Sequence, residues 1–250
     1  MKTIQFRTIK KSLLALGFSL MATTAFAQQT TSAPNASATP TAIGTSKVWG
    51  TVDGIQIIGL VQGPSAAEAE LQVACVFEYT EGDIFVSPPA LPAKVNGLVH
   101  LDEALHGHLT EIRKTGKFKG HTLETFLLVP PPKSLGAKKL LLIGLGNRKD
   151  FTPDLMISVG EIAAREALKL GVKNFAFASD LKDAGIDSPT ALVAGNVARG
   201  IINEYRTQKV LKTQKLTEFA PLNKVYLLAG PAFFTVAGGG ISEALAQYKN

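Results

Sequence analysis

Two glycine-bearing stretches are the first places in this chain where chemistry could sit. In "LLLIGLGNRKDFTP", residues 140–153, an apolar run stops at Gly144 and Gly146, then passes Asn147 to Thr152-Pro153. That order reads as strand, loop and helix start, the setting in which backbone N–H groups cradle a phosphate. A dinucleotide fingerprint needs G-x-G-x-x-G, and Lys149 stands where the third glycine belongs. No Gly-Lys-Ser/Thr follows a second glycine, so the stretch is not a P-loop. "AGGGISEAL", residues 237–245, has the better anion geometry, because Gly238, Gly239 and Gly240 lead straight into an expected helix. Glu243 in the first turn of that helix would compete with a bound anion. Gly144, Gly146, Asn147, Gly238, Gly239 and Gly240 are the candidate anion-binding residues. The plain alternatives are a tight strand-exit turn and a connection near the chain end. No cofactor is assigned.

Acid–base and metal candidates are sparser. His100, His106 and His108 cluster with Asp102 and Glu103 in "HLDEALHGH". At helical spacing Asp102 and His106 share a face, while His108 points nearly the other way. Two ligands do not make a zinc site, so no metal is expected. H-E-x-x-H, G-x-S-x-G and a kinase glycine loop are all missing, and no catalytic residue is assigned. Cys75 is the single cysteine, inside the β-rich run "LQVACVFEY", and reads as a buried structural thiol. One cysteine makes no internal disulfide, so the domain must stand on its core.

The elements that would position these residues can be read from periodicity. "KVWGTVDGIQIIGL" is two β-rich runs around Asp53-Gly54, a hairpin turn signal. "LQVACVFEYTEGDIFVS" holds a buried strand, a turn at Glu81-Gly82 and a short extended piece. Leu98, Leu101, Leu105, Leu109 and Ile112 recur at helical spacing, which predicts one amphipathic helix over 98–114, closed by Gly116. "HTLETFLLV" and "KKLLLIGLG" are strands, the second apolar enough to be central. Thr152-Pro153 is a helix-start signal, and Gly171 is the stop. "VKNFAFAS" is a strand, Ser188-Pro189 opens a helix to about Tyr205, and "NKVYLLAG" is the last strand. From 120 onward the order is β-β-α-β-α-β-α. It predicts a three-layer α/β/α domain with a mixed, largely parallel sheet.

The front of the chain is different. Lys2, Arg7, Lys10 and Lys11 form a basic n-region, residues 12–24 an apolar core, and Ala25-Phe26-Ala27 an A-x-A cleavage site. This pattern predicts a signal peptide over 1–27, cleavage near Ala27, and a periplasmic or secreted protein. Residues 28–46 are Ala, Ser, Thr, Pro and Gln without charge, an expected disordered leader ahead of a folded domain at 47–250. The whole chain carries 26 basic and 20 acidic side chains, net +6. Without the four basic residues of the n-region the balance is 22 to 20, or +2. The high pI is then a targeting feature, and no nucleic-acid partner is expected. No segment is long and apolar enough for a membrane span. A protein, a small ligand or a second copy are the partners left open.

Several ordered segments resemble a known family. "LDEALHGHLTEIRKTGKFKGHTLETFLLVPPP", "KKLLLIGLGNRKDFTPDLMISVGEIAAREALKLGVKNFAFAS" and "ALVAGNVARGIINEYRTQK" together look like the N-terminal domain of the leucine aminopeptidase (cytosol aminopeptidase) family, over about 70 to 230. "GLGNRKDFT" and "GKFKGHTLETFLL" are the most telling pieces. The resemblance implies a macro-domain-like α/β/α fold. In that family the two-metal chemistry belongs to a separate C-terminal domain with an N-T-D-A-E-G-R type signature, which is not found in these 250 residues. No residue here inherits a catalytic or metal-binding role. The expectation is therefore an exported, non-catalytic binding or regulatory domain. A macro-domain-like binder or hydrolase of ADP-ribose-type nucleotides is the alternative.

Overall fold

The computed structural model describes residues 40–86 and 90–248. The expected signal peptide and most of the expected leader lie outside the described residues. The strands are β1 (Ser46–Val52), β2 (Ile55–Val61), β3 (Leu71–Val76), β4 (Thr125–Leu128), β5 (Leu140–Gly144), β6 (Asn174–Ala178) and β7 (Lys224–Ala229). The helices are α1 (Asp83–Val86), α2 (Gly97–Ala104), α3 (His108–Lys114), α4 (Leu155–Lys169), α5 (Thr190–Thr213) and α6 (Phe234–Ala246). No described helix is long and apolar enough to cross a membrane.

One mixed sheet of seven strands, in the order β1-β2-β7-β6-β3-β5-β4, organises the domain. The five inner strands are parallel, and β1 and β4 run antiparallel at the two edges. Every residue of β3 and β5 is buried, so the middle of the sheet is covered on both faces. α4, α5 and α6 pack side by side as one layer. From 120 onward the order is the expected β-β-α-β-α-β-α.

Local chemistry explains several boundaries. Asp53 and Gly54 both take positive φ, 51° and 88°, and close a two-residue hairpin between Val52 and Ile55. α4 ends in a Schellman motif: the Val172 N–H donates to the Ala167 carbonyl at 3.2 Å, and Gly171 N–H to Leu168 at 3.1 Å.

Other expectations need correction. The single helix over 98–114 is two helices, broken at His106 (φ 57°) and Gly107 (φ 82°). Asp102 drives the break, because its carboxylate accepts from the Thr110 N–H at 2.9 Å and the Thr110 hydroxyl at 2.8 Å. It thereby holds the first turn of α3 while sitting in the last turns of α2. His106 thus leaves the face it was expected to share with Asp102.

The extended piece after Gly82 is instead the short helix α1. Asp83 there is 1% exposed and is gripped by both terminal nitrogens of Arg113 and by Arg148 Nη2 at 3.0 Å. Removing an acid from water requires such partners, and they draw the backbone inward. α4 starts at Leu155 after Asp154, later than Thr152-Pro153 implied. α5 continues two turns past Tyr205 to Thr213. Ser46, expected in the leader, opens β1, and Gly44 just before it donates to the Val61 carbonyl at 2.8 Å.

Candidate functional site

The glycines that suggested a phosphate cradle are already engaged by protein. Gly144 N–H donates to the Glu124 carbonyl, Leu145 N–H to Val76 and Gly146 N–H to Gly120, at 2.8, 2.8 and 2.9 Å. A Cβ on Gly144 would run into the His121 carbonyl oxygen and lie 2.6 Å from the Gly120 carbonyl carbon. Gly146 takes φ +72°, and a Cβ there would strike the Thr122 hydroxyl. Asn147 accepts from the Lys149 N–H at 2.9 Å with its own side-chain oxygen. This loop is occupied by its neighbours, and it offers no free N–H at 144–146.

Gly238, Gly239 and Gly240 also sit elsewhere than expected. α6 begins at Phe234, so these glycines lie inside the helix and not at its open N-terminus. The helix has already run one turn, Phe234 to Ala237, before the first of these glycines. Gly238 lies under the Trp49 ring, and Gly240 lies against the Ala191 carbonyl of α5. Their lack of a side chain serves close packing.

Of the histidines, His108 pairs with Glu111 across 3.0 Å on an exposed turn. Among the described residues no group of three or more His, Cys, Asp or Glu is placed to hold a metal ion. Cys75 is buried, and burial pushes its thiol well above its ordinary range, with the Asp180 charge adding to the effect.

The cavity lies at a different place, at the carboxyl ends of β2, β6 and β7. It is a cleft of about 380 Å³, walled by Val61, Phe177, Leu227, Phe233 and the α5 residues Val193 and Val197. Topology explains it. From β3 the chain proceeds toward one edge of the sheet, and from β6 toward the other. Loops leaving adjacent strands in opposite directions open a crevice, the usual ligand position in open α/β sheets.

Two carboxylates from the loop after β6 reach this crevice, and neither was singled out from sequence. Asp180 is 7% exposed and its Oδ2 accepts the Cys75 N–H at 3.0 Å, bridging β6 to β3. Asp180 also holds φ 53°, a left-handed conformation uncommon outside glycine. Asp183 Oδ2 accepts the Gly97 N–H at 2.9 Å, at the N-terminus of α2. Asn96 caps that helix, accepting from Val99 N–H at 3.1 Å and donating to the Asp183 carbonyl at 2.9 Å.

Burial pushes the Asp180 carboxyl well above its ordinary range, and the nearby Asp183 charge adds to this. Burial also lifts Asp183 to about 6, against the pull of the Gly97 and Leu98 N–H groups and of His100. Lys182, on the same loop, is held by the Asp187 carboxylate and by the Ser188 carbonyl at 3.1 Å. A cluster like this can bind and can hold a proton. The sequence signal that could have found it is "SDLKDAGIDSP", a charged loop directly after a buried parallel strand.

This combination of sheet order, layered helices and crevice defines a macro-domain-like α/β fold. An Oceanobacillus iheyensis macrodomain solved with ADP superposes at TM-score 0.52 and 14% identity, covering 81% of this chain and 98% of that one. A tomato leucine aminopeptidase variant gives 0.51 and 22%, covering 78% of this chain and 36% of that one. The particular family is shown by sequence. The model of the cytosol aminopeptidase family's N-terminal domain matches residues 85–215, more than half of the 250. The chain belongs to that family.

Relatives carrying the name "Probable cytosol aminopeptidase" include those of Geotalea uraniireducens and Thermosynechococcus vestitus. The first is 35% identical over 115 residues, 45% of this chain and 23% of the relative. The second is 30% identical over 162 residues, 64% of this chain and 30% of the relative. The chain thus spans less than a third of the length of these curated relatives.

Proposed function

We propose that this chain is an exported binding domain that does not itself hydrolyse peptides, and that its ligand sits in the cleft beyond β2, β6 and β7. The observation that carries the reading is the cleft: an apolar cavity of about 380 Å³ with two desolvated carboxylates at a topological switch point. Support for a non-catalytic role comes from the reactive groups. The one thiol is shut in the core and held protonated, and the cleft carboxylates are tied to backbone N–H groups. Support for export comes from the basic n-region, apolar core and A-x-A site at the start of the sequence.

The nucleotide alternative draws on the fold alone. Against it stands Asp183, whose carboxylate occupies the α2 N-terminus where a phosphate would gain from the helix dipole.

The test is a melting-temperature panel on the purified chain and on Gly63→Trp. Gly63 lines the cleft, and an added Cβ there meets nothing within 4 Å, so the backbone accepts a side chain at this position and an indole on it is expected to obstruct the cleft. A ligand at a hundredfold its Kd adds about 2.7 kcal/mol and raises Tm visibly. Cleft ligands should raise Tm of the parent and not of the variant. ADP-ribose should give no shift, and leucyl-arylamide with added Mn²⁺ or Zn²⁺ should not be turned over. Metal-dependent turnover that persists through repurification would overturn the non-catalytic reading, and an ADP-ribose shift lost in Gly63→Trp would establish the nucleotide alternative. Export is checked by the N-terminal sequence of the protein recovered outside the cytoplasm, expected to begin at Gln28.

A further inference from the structure

We infer that the cleft selects an organic monocation on an apolar body, such as a primary alkylammonium, with its charge against Asp180 and Asp183 and its body against Val61, Phe177, Leu227 and Phe233; this rests on the cleft being the ligand site. The walls define the body, since a cavity with so much apolar lining favours a hydrocarbon chain or ring over a sugar or a phosphate. The carboxylates define the charge.

Asp180 is more than nine-tenths buried and lines the cleft, yet only its Oδ2 is used, by the Cys75 N–H. Its Oδ1 has no hydrogen-bond partner among the described residues. Oδ1 is not among the sealed, unpartnered atoms of the core, so it stays open to a donor that enters the cleft.

Charge balance sharpens the choice. Burial raises both carboxyls, Asp183 to about 6 and Asp180 well above its ordinary range. A cation entering the cleft offsets that cost of desolvation, and an anion would add to it. The cations already nearby do not fill this role. Lys182 is bound to Asp187 and Ser188. Lys94 and His100 line the cleft without a hydrogen bond to either carboxylate. The α2 N-terminus would be the natural anion site, but Asp183 already holds the Gly97 N–H.

The experiment uses the full chain and three probes of one length: n-hexylammonium, 1-hexanol and hexanoate. Each is titrated by amide NMR at about pH 7.5, with the Ser179–Asp183 amides as the readout of cleft occupancy. Hexylammonium should move those amides and bind about tenfold more tightly than hexanol, with hexanoate weakest. Its affinity should fall several-fold toward about pH 5 as Asp183 takes up its proton.

The groups facing Asp183 across this range are Asp180 and Lys182 from its own loop, Lys94 from the turn at Ala93–Val95, and His100 from α2. Asp183→Asn, which still accepts from Gly97, should remove the amine-over-alcohol preference at the higher pH and flatten its pH dependence. The pH series on the parent needs no variant, so a poorly folded Asp183→Asn does not remove the test. Hexanol or hexanoate moving the same amides as tightly as the amine would overturn the charge selectivity while leaving the cleft as the site. No probe moving them, with the fold intact, would overturn both readings.

Discussion

Gly144 and Asp183 show how one residue's surroundings decide its role. A Cβ at Gly144 would press on the backbone of Gly120 and His121, and backbone cannot move aside as a side-chain tip can. Gly144→Ala should therefore cost on the order of 1–3 kcal/mol, read as a lower urea midpoint. A phosphate cradle would behave otherwise, with an unchanged midpoint and a lost ligand shift. At Asp183 the folded carboxyl titrates at about 6 against an ordinary value of 3.8. The native state then binds more protons than the unfolded state between those values, so stability rises as pH falls from about 7.5 to about 5. The full contribution is about 3 kcal/mol and is complete only by about pH 3, with roughly half of it gained between pH 7.5 and 5. Asp183→Asn should remove that part of the rise, seen as the difference between the two proteins' pH–stability curves. Curves that run parallel would show that Asp183 titrates normally.

At the scale of elements, the α4–α5–α6 layer is built on glycines. Gly160 of α4 lies against the Val197 carbonyl of α5, and Gly200 of α5 against the Ile157 carbonyl of α4. On the other side Gly195 would place a Cβ 2.9 Å from the Gly240 carbonyl oxygen. Small residues let the helix axes approach closely and bring backbone into contact with backbone. α6 contains its own control. Gly240→Ala would bring a methyl 2.7 Å from the Ala191 Cα and should destabilise by about 1–3 kcal/mol. Gly239, one residue earlier, is exposed and has nothing within 4 Å of an added Cβ. Gly239→Ala should stabilise by about 0.5–1 kcal/mol through helix propensity alone. Chemical denaturation of both variants reads the contrast directly, and equal effects would mean that α6 does not pack on α5 this way.

For the whole molecule the sheet couples distant parts. Trp49, the single tryptophan, stands on the edge strand β1 with its ring 5.5 Å from that of Phe234 and Gly238 beneath it. β1 pairs with β2, β2 with β7, and α6 follows β7, so this edge is joined to the middle of the sheet by backbone and by packing. Unfolding followed by Trp49 fluorescence should therefore coincide with unfolding followed by far-UV circular dichroism. An earlier fluorescence transition would mean that the β1–α6 edge melts as a separate unit.

What the sequence by itself determined was whatever rests on neighbours in the chain. The Asp53-Gly54 hairpin, the Gly171 helix stop and the β-α-β-α-β-α order after residue 140 are set by local backbone preference and by the periodicity of apolar residues. The family resemblance was legible for the same reason, since it lies in continuous segments. Where the local signal was shared by two structures, the reading failed. The leucine spacing through 98–114 continues across the break because Leu105 and Leu109 are both buried, on either side of a turn imposed by Asp102. Three glycines announce a loop as readily as a close helix contact, and only the positions of Trp49 and Ala191 decide which.

The cleft was not legible at all. Its pieces, Val61, Gly97, Asp180 and Leu227, come from four separate parts of the chain. Tertiary structure alone brings them together, because the strand order places the ends of β2, β6 and β7 side by side and the exits from β3 and β6 diverge. Desolvation by that assembly, and nothing in the residues themselves, is what moves the Asp180 and Asp183 carboxyls away from their ordinary titration.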